Sequence, residues 1–338
     1  MKEFFRKIWK FIKDFFLPPR DLNWSYPLFV MTMGLTCIYI IKSNLTGLPF
    51  SPTSIVFNAL IIPLVVLISL FIPAVSLSSY DRRLSVTGFT GSFRGIGPLI
   101  LAFFSGVPMS LIYTALHNLS AYLCLRLTHT MVYPAFMCYN LDDSVISKLL
   151  EIATQSVIPA LGVSLFFTGL LYSLFREENR GIGNIIIIGF YILFSLDPVN
   201  SLGLIPIGWW ILKLRKKADN VFAPFLALVA MKITEVCFAP ILSPVDTTTL
   251  LTYSDIPSTV FYSSAPAVFV ALILFFFFKT TLDDYEKTYH SDLLGREDEE
   301  KTKTVPKAEQ PLPFVRGLNP SLIVTIIILA AVWVSLFI

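Results

Sequence analysis

The sequence predicts an all-α fold: a polytopic transmembrane helical bundle of about 8–10 membrane segments, with an N-terminal interfacial amphipathic helix. Three observations predict it. The first is composition: of 338 residues, 55% are hydrophobic, 14% are charged and 30 are Phe. A soluble domain carries about 25% charged residues, so this surplus of apolar surface calls for lipid as its solvent. The second is a series of apolar runs at 27–43, 55–77, 97–115, 153–175, 182–196, 202–213, 222–241, 257–278 and 320–338. Several approach the ~20 residues that cross about 30 Å of hydrocarbon. The third is the placement of Lys and Arg along the chain, which alternates from one connection to the next.

The elements follow in order. Residues 1–20 set Phe4, Phe5, Ile8, Ile12, Phe15 and Phe16 against Lys2, Arg6, Lys7, Lys10 and Lys13, with Trp9 at the border. That pattern is an apolar helical stripe opposite a basic face, suited to the plane of anionic headgroups; Pro18-Pro19 ends it. The stretch has no continuous apolar core or small-residue cleavage site, so it is not expected to be a signal peptide. The bundle occupies 27–278. Its runs at 182–196 and 202–213 are short and either extend into their flanks or penetrate as a pair. Residues 116–136 are apolar but carry Arg126 and His129, and are expected to be interfacial or re-entrant. Residues 279–319 mix nine acidic with seven basic residues, then turn Pro-rich at Pro306, Pro311 and Pro313: a solvated cytoplasmic linker. Asn319-Pro320-Ser321 opens a last transmembrane helix, 320–338.

With the N-terminus inside and sides alternating, the inner segments are 1–26, 78–96, 176–181, 213–220 and 279–319. They hold 22 of the 26 Lys and Arg residues, leaving only Lys42, Arg126, Lys148 and Lys232. A wrong segment count would scramble that partition. The expected location is therefore a cell membrane, crossed several times, with the N-terminus cytoplasmic and the C-terminus on the outer side.

Several chemistries are excluded. There is no G-x-x-x-x-G-K-[ST] loop, no H-E-x-x-H and no G-x-S-x-G. The four Cys are scattered without metal-ligand spacing, and there are three His, so no metal or other cofactor is expected. No basic patch of nucleic-acid-binding size exists; neither nucleic acid nor nucleotide is an expected partner, and membrane lipid is. What remains is ionisable groups inside apolar segments, which are functional candidates because they are costly there. Lys232 falls near the middle of its helix, with Glu235 three residues on along the same face. Asp197 and Asn200 follow the 182–196 run and can face Lys232 across the bundle interior. The set reads either as a structural ion pair or as a polar site for a solute, ion or partner.

Residues 153–241 resemble the core of the CPBP family, the CAAX-protease and bacteriocin-processing membrane proteins. The resemblance is carried by Gly169-Leu170-Leu171-Tyr172, by Leu196-Asp197-Pro198, by the basic stop at Lys213-Leu214-Arg215-Lys216-Lys217 and by Phe222-Ala223-Pro224-Phe225-Leu226. The family's E-E-x-x-x-R motif is replaced by Val163, Ser164 and Thr168, its F-x-x-x-H by Tyr191 and Ser195, and its H-x-x-x-N by Leu228 and Lys232. The resemblance implies an intramembrane bundle around a polar cavity, here carrying Ser164, Thr168, Ser195 and Lys232, in a bacterial inner membrane. It does not imply the family's glutamate-dependent peptidase activity, and no catalytic residue is assigned. The expectation is a non-catalytic scaffold, chaperone or regulator of a membrane protein partner. The alternatives are a secondary transporter for a small solute or ion, and a hydrolase with Ser164 or Ser195 as nucleophile and Lys232 as base.

Overall fold

The computed structural model describes residues 22–44, 55–80, 96–128, 135–136, 145–175, 179–242, 265, 268–284 and 314–337. The amphipathic segment 1–20 and most of the 279–319 linker lie outside them. The described secondary structure is helical, without a strand. We number its elements α1 (Ser25–Asn44), α2 (Ile55–Val66 continuing through Ile72–Tyr80), α3 (Gly97–Thr128), α4 (Val145–Glu151 continuing to Tyr172–Leu174), α5 (Arg180–Ser195), α6 (Ser201–Ala218), α7 (Phe222–Leu242), α8 (268–284) and α9 (Pro320–Ser335). Among the described residues four stretches are long and apolar enough to cross a membrane: Ser25–Ser43, Leu60–Ser78, Gly97–Thr128 and Leu149–Leu174. The apolar helices Arg180–Ser195 and Pro320–Ser335 are shorter.

Of the stretch 116–136, expected to be an interfacial or re-entrant element, residues 116–128 continue the preceding helix and 129–134 lie outside the described residues. Helix α3 runs without interruption through 32 residues to Thr128, about 48 Å at 1.5 Å per residue. The reason is its buried stripe: Ala102, Gly106, Ser110, Thr114, Asn118, Ala121 and Leu125 recur at helical spacing and are all buried. Small side chains and hydroxyls on this stripe let neighbouring backbones approach, while Arg126 is exposed and bonds Tyr122 of its own helix at 3.1 Å. Likewise α8 continues past the apolar run at 257–278 to residue 284.

Gly106 marks a close approach of two backbones: a Cβ there would stand 2.5 Å from the Ala227 carbonyl oxygen and 2.7 Å from Ala230 Cβ and Met231 N. Helices α3 and α7 therefore pack nearly backbone to backbone. Trp210 of α6 donates Nε1–H to Ser105 Oγ of α3 at 2.9 Å, so α6 closes the third side of this unit. Around it, Phe166, Phe167, Leu170 and Leu171 of α4 and Ile207 and Trp210 of α6 are almost fully buried.

Helices α1 and α9 run parallel. Ser25 meets Ser321 at 3.3 Å and Tyr39 meets Ser335 at 3.0 Å, both pairs 296 residues apart in sequence. Helix α9 starts at Pro320 because Asn319 caps it, its side chain accepting from Leu322 N at 3.3 Å, while Pro at the first turn forfeits only an unused donor. Below the cap, Trp24 stacks on Phe314 at 5.4 Å and donates Nε1–H to its carbonyl at 3.1 Å.

Three turns widen to π-helix: Leu67–Phe71 in α2, and Ile152–Val157 and Ser164–Leu171 in α4. Pro159 accounts for the second, since it cannot donate to the carbonyl of Gln155. The third bears directly on the site.

Candidate functional site

The predicted polar residues fall into three groups. The first is the turn between α5 and α6. Leu196 takes a left-handed conformation, φ 46°, which ends α5 and swings the chain back. Asp197 then bonds its own successors. Its Oδ1 accepts from Val199 N at 3.0 Å and Asn200 N at 3.3 Å, and its Oδ2 accepts from Asn200 Nδ2. An aspartate bonding the amides two and three residues on holds the chain in a turn, here just ahead of α6, whose N-cap residue is Asn200. Ser195 belongs to the same turn: its Oγ donates to the Ile192 carbonyl at 2.7 Å and accepts from Asp197 N at 3.3 Å.

Helix α3 supplies partners that the sequence reading missed. His117 Nδ1 lies 2.7 Å from Asn200 Oδ1. Since the Asn200 amide already donates to Asp197, its oxygen accepts, so His117 carries its proton on Nδ1. Ser120 donates to the Pro198 carbonyl at 3.3 Å, and Cys124 is hydrogen-bonded to Ser120. Tyr113, His117, Ser120 and Cys124 stand at three- and four-residue intervals, one face of a helix. That interval is the signal that would have found them: a polar stripe within an apolar run.

The second group lies on α7. Lys232 and Glu235 form an ion pair at 2.5 Å, as their spacing predicts. Lys232 Nζ also sits 5.3 Å from the centre of the Tyr113 ring, a cation–π contact. The Tyr113 and His117 rings are 6.3 Å apart. Glu235, Lys232, Tyr113, His117, Asn200 and Asp197 follow one another in a string of contacts across α7, α3 and the α5–α6 turn. Tyr191 of α5 stands close enough to Glu235 to feel its charge.

Ser164 and Thr168 are elsewhere, in the widened turn of α4. Both are fully buried. Thr168 Oγ1 donates back to the Ser164 carbonyl at 2.6 Å. Tyr172 N–H bonds the carbonyls of Phe167 and Gly169, on either side of Thr168, and the Thr168 carbonyl accepts from Arg215 Nε at 3.0 Å. The π-turn exposes a carbonyl and a buried arginine takes it. Arg215 also reaches Asp219 at 3.1 Å and lies 5.5 Å from the Tyr172 ring centre.

At the end of α6, Lys217 and Lys213 hold Asp283 of α8 at 3.0 and 3.7 Å. Partial burial pushes the Asp283 carboxyl up, but the hydrogen bond from Lys217 and the charges of Lys213, Lys217 and Lys279 outweigh it and bring the group below its ordinary value.

Among the described residues no group of three or more His, Cys, Asp or Glu is placed to hold a metal ion. Compared with protein-family models, with curated proteins and with solved structures, the chain matches none.

Proposed function

We propose that this chain is a multi-pass membrane protein with a degenerate CPBP-like core, N-terminus cytoplasmic and C-terminus outside, which binds and steadies a membrane protein partner rather than turning over a substrate. The observation that carries the non-catalytic reading is that three groups at the family's motif positions are bound into the fold, while the fourth, the Ser164 hydroxyl, is buried with no hydrogen-bond partner among the described residues and so has no base beside it. Thr168 is tied to the Ser164 carbonyl, Ser195 to Ile192 and Lys232 to Glu235. A serine nucleophile needs a base within about 3 Å, and the described hydrogen bonds of Ser195 run to Ile192 and Asp197 while the described ion pair of Lys232 runs to Glu235.

The topology draws support from the helix pairings. The parallel run of α1 and α9, the parallel approach of α3 and α7 at Gly106 and the joining of α6 and α8 ends at Asp283 all match elements that the charge alternation sends the same way. The test of function is purification in mild detergent with mass spectrometry of co-purifying proteins. A stoichiometric membrane protein, lost with Lys232→Ala, is the expected result. A homogeneous chain carrying none refutes the partner reading.

Secondary transport is the second reading, favoured by the polar string from Glu235 to Asp197, which links a mid-helix ion pair to one end of the bundle. Solute uptake into proteoliposomes that disappears with His117→Ala and Lys232→Ala would establish it in place of the first.

A further inference from the structure

The segment 314–335, which carries α9, is recognised by α1 through side chains at both of its ends. At its start Phe314 stacks on Trp24 and accepts the indole N–H on its carbonyl, and its ring lies 6.4 Å from that of Phe175 at the end of α4. At Gly317 a Cβ would overlap the buried Trp24 ring, so the place is kept for glycine. Ser25 Oγ then stands 2.9 Å from Asn319 Oδ1 and 3.3 Å from Ser321 Oγ. At the other end Tyr39 meets Ser335 at 3.0 Å, and Trp333 donates Nε1–H to the Leu193 carbonyl of α5 at 2.9 Å. The Ser25–Ser321 and Tyr39–Ser335 pairs share one offset of 296 residues, so α1 and α9 hold a single register over about 21 Å.

The two sides of α9 differ. Thr325, Leu329 and Val332 are buried, whereas Ile323, Ile326 and Ile327 are half exposed or more. In hydrocarbon a pair of helices is held by close packing and by hydrogen bonds between side chains, and the α1–α9 contact has both. These contacts are set by the residues on the two helices and do not require one chain to supply both. The preceding helix α8 packs its rings and its Asp283 on α6, and the 29 residues 285–313 that follow can reach at most about 100 Å. A second copy in the same membrane presents the same α1 face. Its only disadvantage is the effective concentration that the tether confers, which falls as a tether lengthens.

We propose that the α1 face with its Trp24 corner is a docking site for segment 314–335 in trans as well as in cis, so that two copies in one membrane exchange α9 and pair as a dimer. Exchange of an identical element is a low-cost route to such a dimer. The proposal rests on the membrane reading above and is independent of whether the chain steadies a partner or transports a solute.

The test uses full-length chains with Cys37, Cys124, Cys138 and Cys237 replaced by Ala. One copy carries Ser25→Cys and a differently tagged copy carries Ser321→Cys, and the two are expressed together and oxidised in the membrane. The hydroxyls of these two serines are 3.3 Å apart, within reach of a disulfide once both are thiols. A mixed disulfide joining the two tags is expected, several-fold above that formed when Ile323→Cys, on the exposed side of α9, replaces Ser321→Cys. Adding Gly317→Leu to the second copy should abolish it, and Ile327→Ala should leave it. A yield no higher than with Ile323→Cys would mark random collision and overturn the proposal. So would a chain carrying both Ser25→Cys and Ser321→Cys that closes its own disulfide while the separate copies form none, which would confine docking to cis. If the cysteine-free chain does not fold, two tagged copies with native cysteines replace it: they should co-purify, and Gly317→Leu in both should abolish this. No co-purification, or co-purification indifferent to Gly317→Leu, refutes the exchange. Release of the chain from membranes by alkaline washing would sink the membrane reading, and the proposal with it.

Discussion

Gly106→Ala is expected to destabilise the bundle although alanine is the better helix former. In a helix interior the exchange of Gly for Ala by itself stabilises by roughly 0.5–1 kcal/mol. At position 106 the new methyl would lie 2.5 Å from Ala227 O and 2.7 Å from Met231 N. Both are backbone atoms that no rotamer change can move aside, so α3 and α7 must part by about 1 Å to restore ordinary contact distance. Overpacking of this kind costs about 1–3 kcal/mol, which leaves a net loss. Gly189 of α5 is the internal control, because nothing lies within 4 Å of a Cβ there; Gly189→Ala should be neutral or stabilising. The assay is thermal unfolding in detergent followed by Trp fluorescence, with the buried Trp210 as an internal reporter. Gly106→Ala should melt several degrees below Gly189→Ala, on roughly 2–4 °C per kcal/mol for a larger domain. Equal melting temperatures would refute the backbone-to-backbone packing of α3 on α7.

Three further outcomes are expected. Ser105→Ala removes the acceptor of the buried Trp210 Nε1–H and should cost about 1–3 kcal/mol in the same melt, the penalty of an unsatisfied buried donor. Arg215→Lys should be destabilising despite the retained charge, because one ammonium cannot bond the Thr168 carbonyl, hold Asp219 and stack near Tyr172 together. Asp283→Asn should lower stability at neutral pH, and the difference from wild type should vanish on acidification. A carboxyl whose folded pKa is depressed contributes fully above its unfolded value of about 4 and loses that contribution as pH falls through the folded value, so melting curves from pH 7 to pH 3 check both direction and window.

What the sequence made legible, and what it did not, follows from the range of the forces involved. Helix and apolar run are local properties, and so is the Lys232–Glu235 pair, which needs only the three-residue step of a helix. The cap at Asn319-Pro320 is equally local. The extent of α3 was not legible, since Arg126 and His129 read as the mark of an interfacial stretch, and nothing local shows that the helix runs on to Thr128. Asp197 was legible as a helix-flanking acid, but its partner His117 lies 80 residues earlier, and nothing local sets the relative height of α3 and the α5–α6 turn. The widened turn at Ser164–Leu171 was hidden for the same reason: its apolar pattern does not announce a carbonyl turned toward an arginine 47 residues away.

The described interior divides its polar work in a way that bears on the competing readings. Lys232 is answered by Glu235 and Arg215 by Asp219 at three- and four-residue steps, although Arg215 also reaches the Thr168 carbonyl of α4 and Lys213 and Lys217 pair with Asp283 of α8. Neutral groups join one helix to another: Trp210 to Ser105, His117 to Asn200, Trp333 to Leu193. A helix that carries its own counter-ion enters hydrocarbon at lower cost than one that must wait for a neighbour to arrive, so the pairing on α7 serves insertion before it serves any site. Whatever engages Lys232 afterwards has to offer Glu235 an equivalent contact or protonate it. A protein partner can do the first with a fixed donor, and a proton-coupled solute can do the second. Removing Glu235 alone therefore separates the readings, because a partner would lose its anchor while a transport cycle would lose its proton dependence.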